Sequence, residues 1–267
     1  MEKAEFSYRE IAPSASFEPY ILSFWEFAVA PHVPGPVDYE IFPDGCSSLF
    51  YFSNAGRGIC VIGISGLHIE TIKRPVFGGD TFWGMRLSPA ACSTILRIAP
   101  CELLRSSLSR TIADFPHLGE DMIGELTVAR EFEEFAAICE KRIAELIAAG
   151  CVYDQPIADA VAIMAGSPGE IRVDELAASL GLSTRQFQRR FKASSGLSPK
   201  QFLRTLRIRS AAVGLVEDRY PNWAARAAEL GFADQAHLSH EFVSITHRSP
   251  TSFAENIGDV AHGELIK

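Results

Sequence analysis

The sequence lacks any run of about eighteen consecutive apolar residues, so it predicts no helix that spans a membrane. Its first residues, MEKAEFSYREIAPS, are polar and lack the apolar stretch of an export signal. We therefore expect a cytoplasmic protein with no membrane partner. With 267 residues, 47% of them hydrophobic and 22% charged, the chain is long enough for two packed cores.

Cysteine motifs and catalytic signatures are also missing. The six cysteines form no CxxC pair, and they lie at Cys46, Cys60, Cys92, Cys101, Cys139 and Cys151. This scatter favours reduced, partly buried thiols over a disulfide or zinc framework. The sequence contains no Gly-rich phosphate loop and no nucleophile elbow. We therefore expect that the protein is not an enzyme, with no catalytic residues, no cofactor and no metal ion.

Positive charge is in deficit over the whole chain but not in its C-terminal part. The chain has 25 Lys and Arg against 33 Asp and Glu, a net charge of −8. Residues 1–169 hold 12 basic and 22 acidic residues, whereas residues 170–267 hold 13 and 11. Phosphate groups repel the acidic part and attract the basic one. The chain length predicts two domains, and the charge split assigns contact with a polyanion such as DNA to the C-terminal one.

The basic charge is concentrated in Ser183–Ser210, which contains eight Lys or Arg and no Asp or Glu. Ser183 fits a helix N-cap, and Phe187 and Phe191, four residues apart, share one helix face. Another face carries Arg185, Gln188, Arg189 and Lys192. Because Arg and Gln can bond the edges of guanine and adenine, that face suits a DNA major groove. A solvated basic helix face is the alternative interpretation.

This segment belongs to a motif that occurs twice. In the first copy an apolar stripe ends at Gly181, which can terminate a helix in the left-handed conformation. In the second copy Gly231 corresponds to Gly181, and Asp234 corresponds to the Ser183 N-cap. The other correspondences pair Leu238 and Phe242 with Phe187 and Phe191, and Pro250 and Phe253 with Pro199 and Phe202. A helix, a Gly turn and a capped helix, repeated in tandem, indicate two helix-turn-helix units.

A long helix, Pro199–Glu217, is predicted between the two units. Pro199 fits the first helical turn after Ser198. At ~1.5 Å per residue, about eighteen residues span roughly 27 Å. Successive turns of the major groove lie about 34 Å apart. A rigid spacer of this size suits two recognition helices that enter adjacent turns of one DNA face.

Residues 152–257 resemble the double helix-turn-helix domain of AraC-type (AraC/XylS) transcription regulators. The motifs that carry the resemblance are LAASLGLSTRQFQRRFKASSGLSPKQFL, AAELGFADQAHLSHEF and SPTSF. The resemblance implies a seven-helix domain, residues 151–258, that binds double-stranded promoter or operator DNA, with a tail at 259–267. It implies base contacts from Thr184, Arg185, Gln188 and Arg189, and in the second unit from Gln235, Ala236, His237 and His240. Phosphate contacts are expected from Arg190, Lys192, Lys200, Arg204 and Arg207.

The second unit departs from the family pattern. His240 stands where Arg is common, Val243 replaces the usual Lys, His247 replaces the usual Gly, and Glu241 adds a negative charge. Residues 227–247 contain no Lys or Arg. We therefore expect the first unit to supply most of the affinity and specificity. Titration of His237 and His240 would make binding by the second unit pH-dependent; plain polar contacts from these histidines are the alternative.

Residues 16–88 are predicted to form short strands separated by turns, and residues 89–149 helices. The predicted strands are Tyr20–Phe27, Tyr39–Phe42, Ser48–Phe52, Ile59–Gly63, Leu67–Ile72 and Phe82–Arg86. Asp44 precedes Gly45 and is interpreted as a turn residue rather than a catalytic acid. Such spacing is typical of a small barrel or sandwich.

The stretches FEPYILSFWEF, IFPDGCSSLFYF and FWGMRLSPAACSTIL resemble the cupin-like N-terminal domain of some AraC-type regulators. The resemblance implies an α+β fold, with a cupin-like β-barrel or sandwich and helices in residues 1–150 and an all-α C-terminal domain. It also implies a sensing or dimerising module of unknown ligand. Trp25 and Trp83 are candidates to line an effector pocket, although aromatic residues also build cores.

We expect a DNA-binding transcription regulator of the nucleoid that is controlled by a small-molecule effector. Two alternatives remain for the N-terminal domain. It could be only a dimerisation or protein-interaction module that supports a homodimer or contacts RNA polymerase. In that case the acidic helix from Glu131 to Leu146 could form a dimer seam; the other possibility is that this helix packs on its own barrel. It could also be a metal-dependent cupin enzyme, for which His68 and Glu70, on one side of a predicted strand, are weak candidate ligands.

Overall fold

The computed structural model describes residues 5–104, 110–118, 120–218 and 221–255; the predicted tail at 259–267 lies outside these residues. In the described part of the N-terminal region, two antiparallel sheets are present, with strand orders β1-β2-β7-β4-β5-β8 and β3-β6. The strands are β1 (Phe6–Ile11), β2 (Ile21–Val29), β3 (Val37–Ile41), β4 (Ser48–Asn54), β5 (Ile59–Ser65), β6 (Ile72–Val76), β7 (Thr81–Leu87) and β8 (Arg110–Thr111).

The larger sheet buries both of its faces. Residues such as Phe24, Leu49 and Met85 belong to the face that packs against helices. Strand alternation places Phe27 and Phe82 on the opposite face, where they meet the smaller sheet at Tyr39. A sheet buried on both faces explains why its strands read as continuous apolar runs rather than as alternating ones.

Within the described part of residues 89–149, three helices cover the first face: α1 (Cys92–Leu96), α2 (Glu120–Val128) and α3 (Phe132–Ala148). Helix α3 buries Phe132, Phe135 and Cys139 in the same cluster as the sheet. Its acidic residues lie on the other side, where Glu133 is exposed. Packing of this helix against its own sheet, one of the two possibilities raised by the sequence, is therefore confirmed.

Seven helices fill the described part of the C-terminal region, which makes the whole fold α+β as predicted. They are α4 (Gln155–Gly166), α5 (Val173–Ser179), α6 (Thr184–Ser195), α7 (Pro199–Glu217), α8 (Trp223–Glu229), α9 (Gln235–Thr246) and α10 (Pro250–Glu255). The predicted long helix Pro199–Glu217 is confirmed residue for residue, with Ser198 as its N-cap and Pro199 in its first turn.

One predicted strand was wrong, and the strands extend beyond the predicted limits. Residues 66–71 form a loop, and the strand begins only at Ile72. Leu67 leaves the sheet pattern because it is buried in the cluster of the first helix-turn-helix unit. Strands β1 and β8 lie outside the predicted strand region 16–88, and β1 pairs with β2 along its full length.

The two regions share apolar clusters. Phe42, just after β3, is buried among residues of the second helix-turn-helix unit, with its ring 6.2 Å from that of Phe253. Leu67 and Cys46 are buried with Phe191 and Phe202 of the first unit. The loops at this end of the sheets therefore belong to the packing of both units.

Candidate nucleic-acid interface and N-terminal cavity

Helix α6, the first candidate recognition helix, is fixed at both of its ends. The Ser183 hydroxyl accepts a hydrogen bond from the Gln186 backbone N–H at 3.3 Å, and the Gln186 side chain accepts one from the Ser183 backbone N–H at 2.9 Å. This reciprocal capping box confirms the predicted N-cap. Gly196 ends the helix with φ +83°, in the left-handed region that glycine tolerates best.

The face of α6 opposite its buried aromatics is open. Phe187 and Phe191 are fully buried and hold the helix on the domain core. The four predicted base readers are all exposed, and they are Thr184, Arg185, Gln188 and Arg189. The structure thus presents guanidinium and amide groups outward on a helix whose orientation is fixed, the arrangement needed to bond base edges.

Helix α9 repeats this arrangement in the second unit. The Asp234 carboxylate accepts a hydrogen bond from the His237 backbone N–H at 2.7 Å, which confirms the predicted N-cap. Leu238 and Phe242 are fully buried. The predicted readers are again exposed, and they are Gln235, Ala236, His237 and His240. The Ala233 N–H donates to Nδ1 of His237 at 3.4 Å, a contact that favours the tautomer with its hydrogen on Nε2.

The two candidate recognition helices border a common cleft of about 590 Å³. Thr184 and Gln188 of α6 line one side, and His237 and Glu241 of α9 line the other. Lys200 and Arg204 of α7 lie between them. The long helix therefore joins the two predicted reader surfaces through a region that itself carries cations.

The five predicted phosphate contacts have different surroundings. Lys192 and Lys200 are exposed. Arg190 donates two hydrogen bonds to Asp154, at 2.9 and 2.8 Å. Arg204 binds Glu241 and Ser244 of α9.

The fifth, Arg207, donates to the carbonyl oxygens of Pro168 at 2.8 Å and of Ile171 and Gly231 at 3.2 Å. Burial lowers its pKa. All five DNA assignments stay predictions, but Arg190, Arg204 and Arg207 already hold the C-terminal domain together.

Glu241 therefore does not act as an isolated negative charge. Its carboxylate pairs with Arg204, and Arg204 also donates to Ser244 one turn further along α9. The pair neutralises the acidic residue that distinguishes the second unit, and at the same time it removes one cation from the set expected to face phosphate. Long-range pairing of this kind has no signal in the local sequence.

The N-terminal region contains a cavity of about 480 Å³ between its two sheets. Aromatic and aliphatic side chains form most of its wall, and Trp25, one of the two proposed effector contacts, is among them. Trp83 does not line this cavity. It is buried on the helix-covered face of the larger sheet, where its ring stacks on Tyr51 at 5.0 Å and its Nε1–H donates to Glu26 at 2.8 Å.

Strand register explains the separation of the two tryptophans. Trp25 of β2 lies opposite Gly84 of β7, and Trp83 lies opposite Glu26, so that the two rings point to opposite faces. A Cβ atom at Gly84 would lie 2.0 Å from the Trp25 ring. The glycine thus makes room for Trp25 in the cavity wall.

One end of the cavity is charged, a feature that was not predicted from the sequence. Arg86 binds Asp44 at 2.6 Å and Glu10 at 3.0 Å, and its side chain is only 13% exposed. Burial acts to raise the pKa of Glu10, but the charge of Arg86 and hydrogen bonds bring it below its ordinary value. Arg86 lies between the apolar residues Met85 and Leu87 on β7. A charged residue within an apolar strand is visible in the sequence, and this pattern could have indicated the charged end of the cavity.

The weak candidate metal pair is not assembled. His68 lines the cavity, whereas Glu70 in the same loop is exposed and lies 3.4 Å from Nε2 of His247. The predicted common strand face does not exist, because these residues precede β6. Among the described residues, no group of three or more His, Cys, Asp or Glu side chains could hold a metal ion.

The chain is similar to known proteins in both of its parts. Residues 176–256 match a family model described as a helix-turn-helix domain, and residues 9–109 match one described as a domain of unknown function (DUF6597). No curated protein matches the chain. Within the described residues, no helix is long and apolar enough to cross a bilayer.

Three solved structures illustrate the likeness. The DNA-binding domain of the global transcriptional factor AdpA, solved with a target DNA, is 30% identical over 38% of this chain and 90% of its own, with a TM-score of 0.34. An AraC-type regulator from Chromobacterium violaceum is 22% identical over 38% of this chain and 91% of its own, with a TM-score of 0.34. ToxT from Vibrio cholerae is 10% identical over 94% and 98%, with a TM-score of 0.42.

Proposed function

This chain belongs to the AraC-type DNA-binding transcription regulators through its C-terminal helix-turn-helix domain, and from that premise we propose that a small molecule bound in the N-terminal cavity controls how its two recognition helices engage DNA. The observation that carries the DNA part is the pair of capped helices, α6 and α9, whose predicted readers are all exposed. Three of these readers, Thr184, Gln188 and His237, border one cleft. The cavity between the sheets supports the effector part.

The first unit supplies most of the sequence specificity in this proposal. Arg185 and Arg189 can each bond both acceptors of a guanine, and Gln188 can bond an adenine. The second unit presents an amide and two imidazoles instead. Because an imidazole has at most two N–H groups whereas a guanidinium has five in a fixed fork, the imidazole contacts contribute less to affinity.

The phosphate contacts come mainly from the two exposed lysines. Lys192 lies one turn from the readers of α6, and Lys200 lies in the cleft at the start of α7. Backbone contacts of this kind fix the position of a protein on the duplex without reading its sequence. Arg190, Arg204 and Arg207 act in this proposal by holding the helices in place.

Selection of bound fragments from random double-stranded DNA tests the proposal. We expect an enriched motif with two parts whose centres are about one helical turn, roughly 10 base pairs, apart. The part contacted by the first unit should be the more strongly constrained. Enrichment of a single short element, or no enrichment above that of bulk DNA, would contradict two-helix recognition.

A second measurement separates effector control from a purely structural N-terminal domain. A ligand that binds the folded cavity raises the unfolding temperature, since binding to the native state stabilises it. If no small molecule stabilises the chain while it forms a homodimer or binds RNA polymerase, the N-terminal domain acts as an interaction module instead. A role in regulation would then rest on assembly rather than on sensing.

A further inference from the structure

The larger sheet has an open edge on strand β5. This strand pairs with β4 along its whole length, from Ile59 to Ser65. On its other side, within the described part of the chain, only Gly63 and Ile64 have strand partners, which are the two residues of β8. The outer side of residues 59–62 is therefore available to a further strand.

The side chains along this edge are uncharged and partly open to solvent. Cys60 is exposed, and the side chain of Val61 beside it is 40% exposed. Residues 55–69 contain a single charged residue, Arg57, which packs on an aromatic ring instead of facing a carboxylate. A neutral edge thus lies in an N-terminal region that is otherwise strongly acidic.

The other sheet edges among the described residues carry features that prevent strand pairing. Strand β1, at the opposite edge of the larger sheet, contains Arg9 and Glu10. In the smaller sheet, β3 contains two acidic residues, and β6 contains Lys73, Arg74 and Pro75. Charge and proline are the usual means by which proteins block an exposed edge. Because residues 59–62 have neither, this edge is the one best suited to receive another strand.

The absence of charge favours a second copy of this chain as the partner. In a two-fold symmetric pair of strands, each residue near the axis lies opposite itself or a close neighbour, so a charged residue there meets its like. Like charges directly opposite each other destabilise a sheet. The neutral edge at residues 59–62 avoids this repulsion, and it offers no charge to a partner protein of opposite sign.

We propose that two copies of this chain pair antiparallel along residues 59–62 of β5, which joins their two larger sheets into one. Four residues span roughly 13 Å. The interface is therefore small, and we expect a micromolar to millimolar dissociation constant. The inference goes beyond the proposed function and does not depend on it, because β5 carries none of the predicted DNA contacts.

Cross-linking of single exposed thiols tests the pairing. Cys60 and Cys101 are both exposed, so the variants C101S and C60S each keep one of them. In the proposed pair the two Cys60 thiols lie within roughly 10 Å, in reach of bismaleimidoethane. We expect C101S to form cross-linked dimer roughly tenfold faster than C60S, because pairing raises the local thiol concentration. Equal rates, or no cross-link in C101S at about 1 mM protein, overturn the proposal.

Substitution of Val61 tests the edge itself by sedimentation equilibrium. Val61→Lys should weaken dimerisation roughly tenfold or more, since the symmetric interface carries the change twice. Val61→Thr, which stays neutral and favours a strand, should keep the dimer and shows that the site tolerates substitution. Val128→Lys is the matched control, because Val128 is 73% exposed but ends helix α2. A dimer that persists in V61K while the protein stays folded, or that is lost equally in V128K, overturns the assignment to β5.

Salt separates this contact from one held by ion pairs. Residues 1–169 of each copy hold 22 acidic against 12 basic residues, so two copies approach against mutual repulsion. Raising the salt concentration from about 0.05 to about 0.5 M should therefore strengthen dimerisation severalfold, although it weakens DNA binding. Dimerisation that weakens with salt would indicate a charged interface elsewhere on the chain and overturn the proposal.

Discussion

Adjacent arginines of α6 have different surroundings because successive residues of a helix point about 100° apart. Arg189 is exposed on the reader face. Arg190 turns toward α4 and binds Asp154, the residue that also caps that helix by accepting the Ile157 N–H. The proposed base contact therefore falls to the exposed residue, and its neighbour fixes the helix that presents it.

Substitution of Arg189 by alanine should weaken binding to the preferred site by about 1–3 kcal/mol and relax the preference at one base pair, if it makes the predicted bidentate contact. Affinities for the selected site and for all single base-pair variants of it measure both effects. The control is Arg190→Ala, which should lower the unfolding temperature while leaving the order of site preferences unchanged. A uniform loss of affinity across all variants in R189A would assign Arg189 to the phosphate backbone instead.

His247 ends α9 in a conformation that suits glycine better. Its φ is +59°, whereas the corresponding position after α6 is Gly196 with φ +83°. A side chain in this left-handed region costs roughly 1–2 kcal/mol. The contact of His247 with Glu70 is between exposed groups, and such pairs contribute little.

We therefore predict that His247→Gly stabilises the protein by about 0.5–1 kcal/mol, the strain relieved less the greater freedom of glycine in the unfolded chain. Chemical denaturation of the full chain measures the change. Arg97→Gly is a matched comparison, because Arg97 caps α1 with φ +54°. A loss of stability in H247G but not in R97G would show that the Glu70 contact outweighs the strain.

Caps and turns could be predicted from the sequence because they depend on neighbours within four residues. Ser183, Ser198 and Asp234 satisfy local N–H groups, so their roles follow from position alone. The partners of Arg190 and Arg204 lie 36 and 37 residues away. No local pattern encodes such a pairing, and the sequence therefore assigned these side chains to DNA.

At the level of elements, α7 was predicted within its true limits, but the faces of the strands were not. A helix repeats every 3.6 residues and shows its buried side in sequence, whereas a sheet buried on both faces shows only an apolar run. Trp25 and Trp83 were grouped for that reason, although the register of β2 and β7 places them on opposite faces. The loop at 66–71 was mistaken for a strand because its apolar Leu67 packs on the other domain.

Helix α7 carries two kinds of cation, an exposed lysine and an arginine paired within the protein. The salt dependence of DNA affinity can distinguish them. Lys200→Ala should reduce the slope of the logarithm of affinity against the logarithm of salt concentration by about one, because a phosphate contact releases one counterion. Arg204→Ala should change the slope less, since Arg204 is paired with Glu241. It should instead destabilise the contact of α7 with α9.

Measurement of affinity between low and moderate salt for both variants checks this difference. Glu241→Gln serves as the control for Arg204, because it removes the internal partner and frees the guanidinium. The slope should then become steeper than that of the unmodified protein. Equal reductions of the slope in K200A and R204A would contradict the internal role of Arg204 and restore it to the phosphate backbone.

In the whole molecule, the N-terminal sheets and the DNA-binding domain share polar as well as apolar contacts. Glu40 of β3, whose side chain is 6% exposed, pairs with Arg248 between α9 and α10. The Thr71 N–H donates to the carbonyl of Ile245 at 2.8 Å. On the side of the first unit, the Ser194 hydroxyl donates to the carbonyl of Pro89 at 2.6 Å. All of these contacts leave the exposed predicted readers of α6 and α9 uncovered.

Phe42 tests whether these contacts make the second unit depend on the sheets. Its ring is 4% exposed and lies in the cluster of Phe242 and Phe253. Phe42→Ala should cost about 3–5 kcal/mol, because it leaves a cavity in that cluster. Amide hydrogen exchange of α9 and α10 should therefore become faster, although the substituted residue belongs to the N-terminal domain.

Phe52→Ala is the matched control, because Phe52 lies on β4 and lines the cavity without entering the cluster of the second unit. It should speed exchange in the sheets and leave α9 and α10 protected. Faster exchange confined to the sheets in F42A would show that the second unit is held by its own contacts. Faster exchange in α9 and α10 of F42A would show that the second set of predicted DNA readers is physically coupled to the N-terminal domain. Through this coupling a ligand in the cavity can alter the DNA interface.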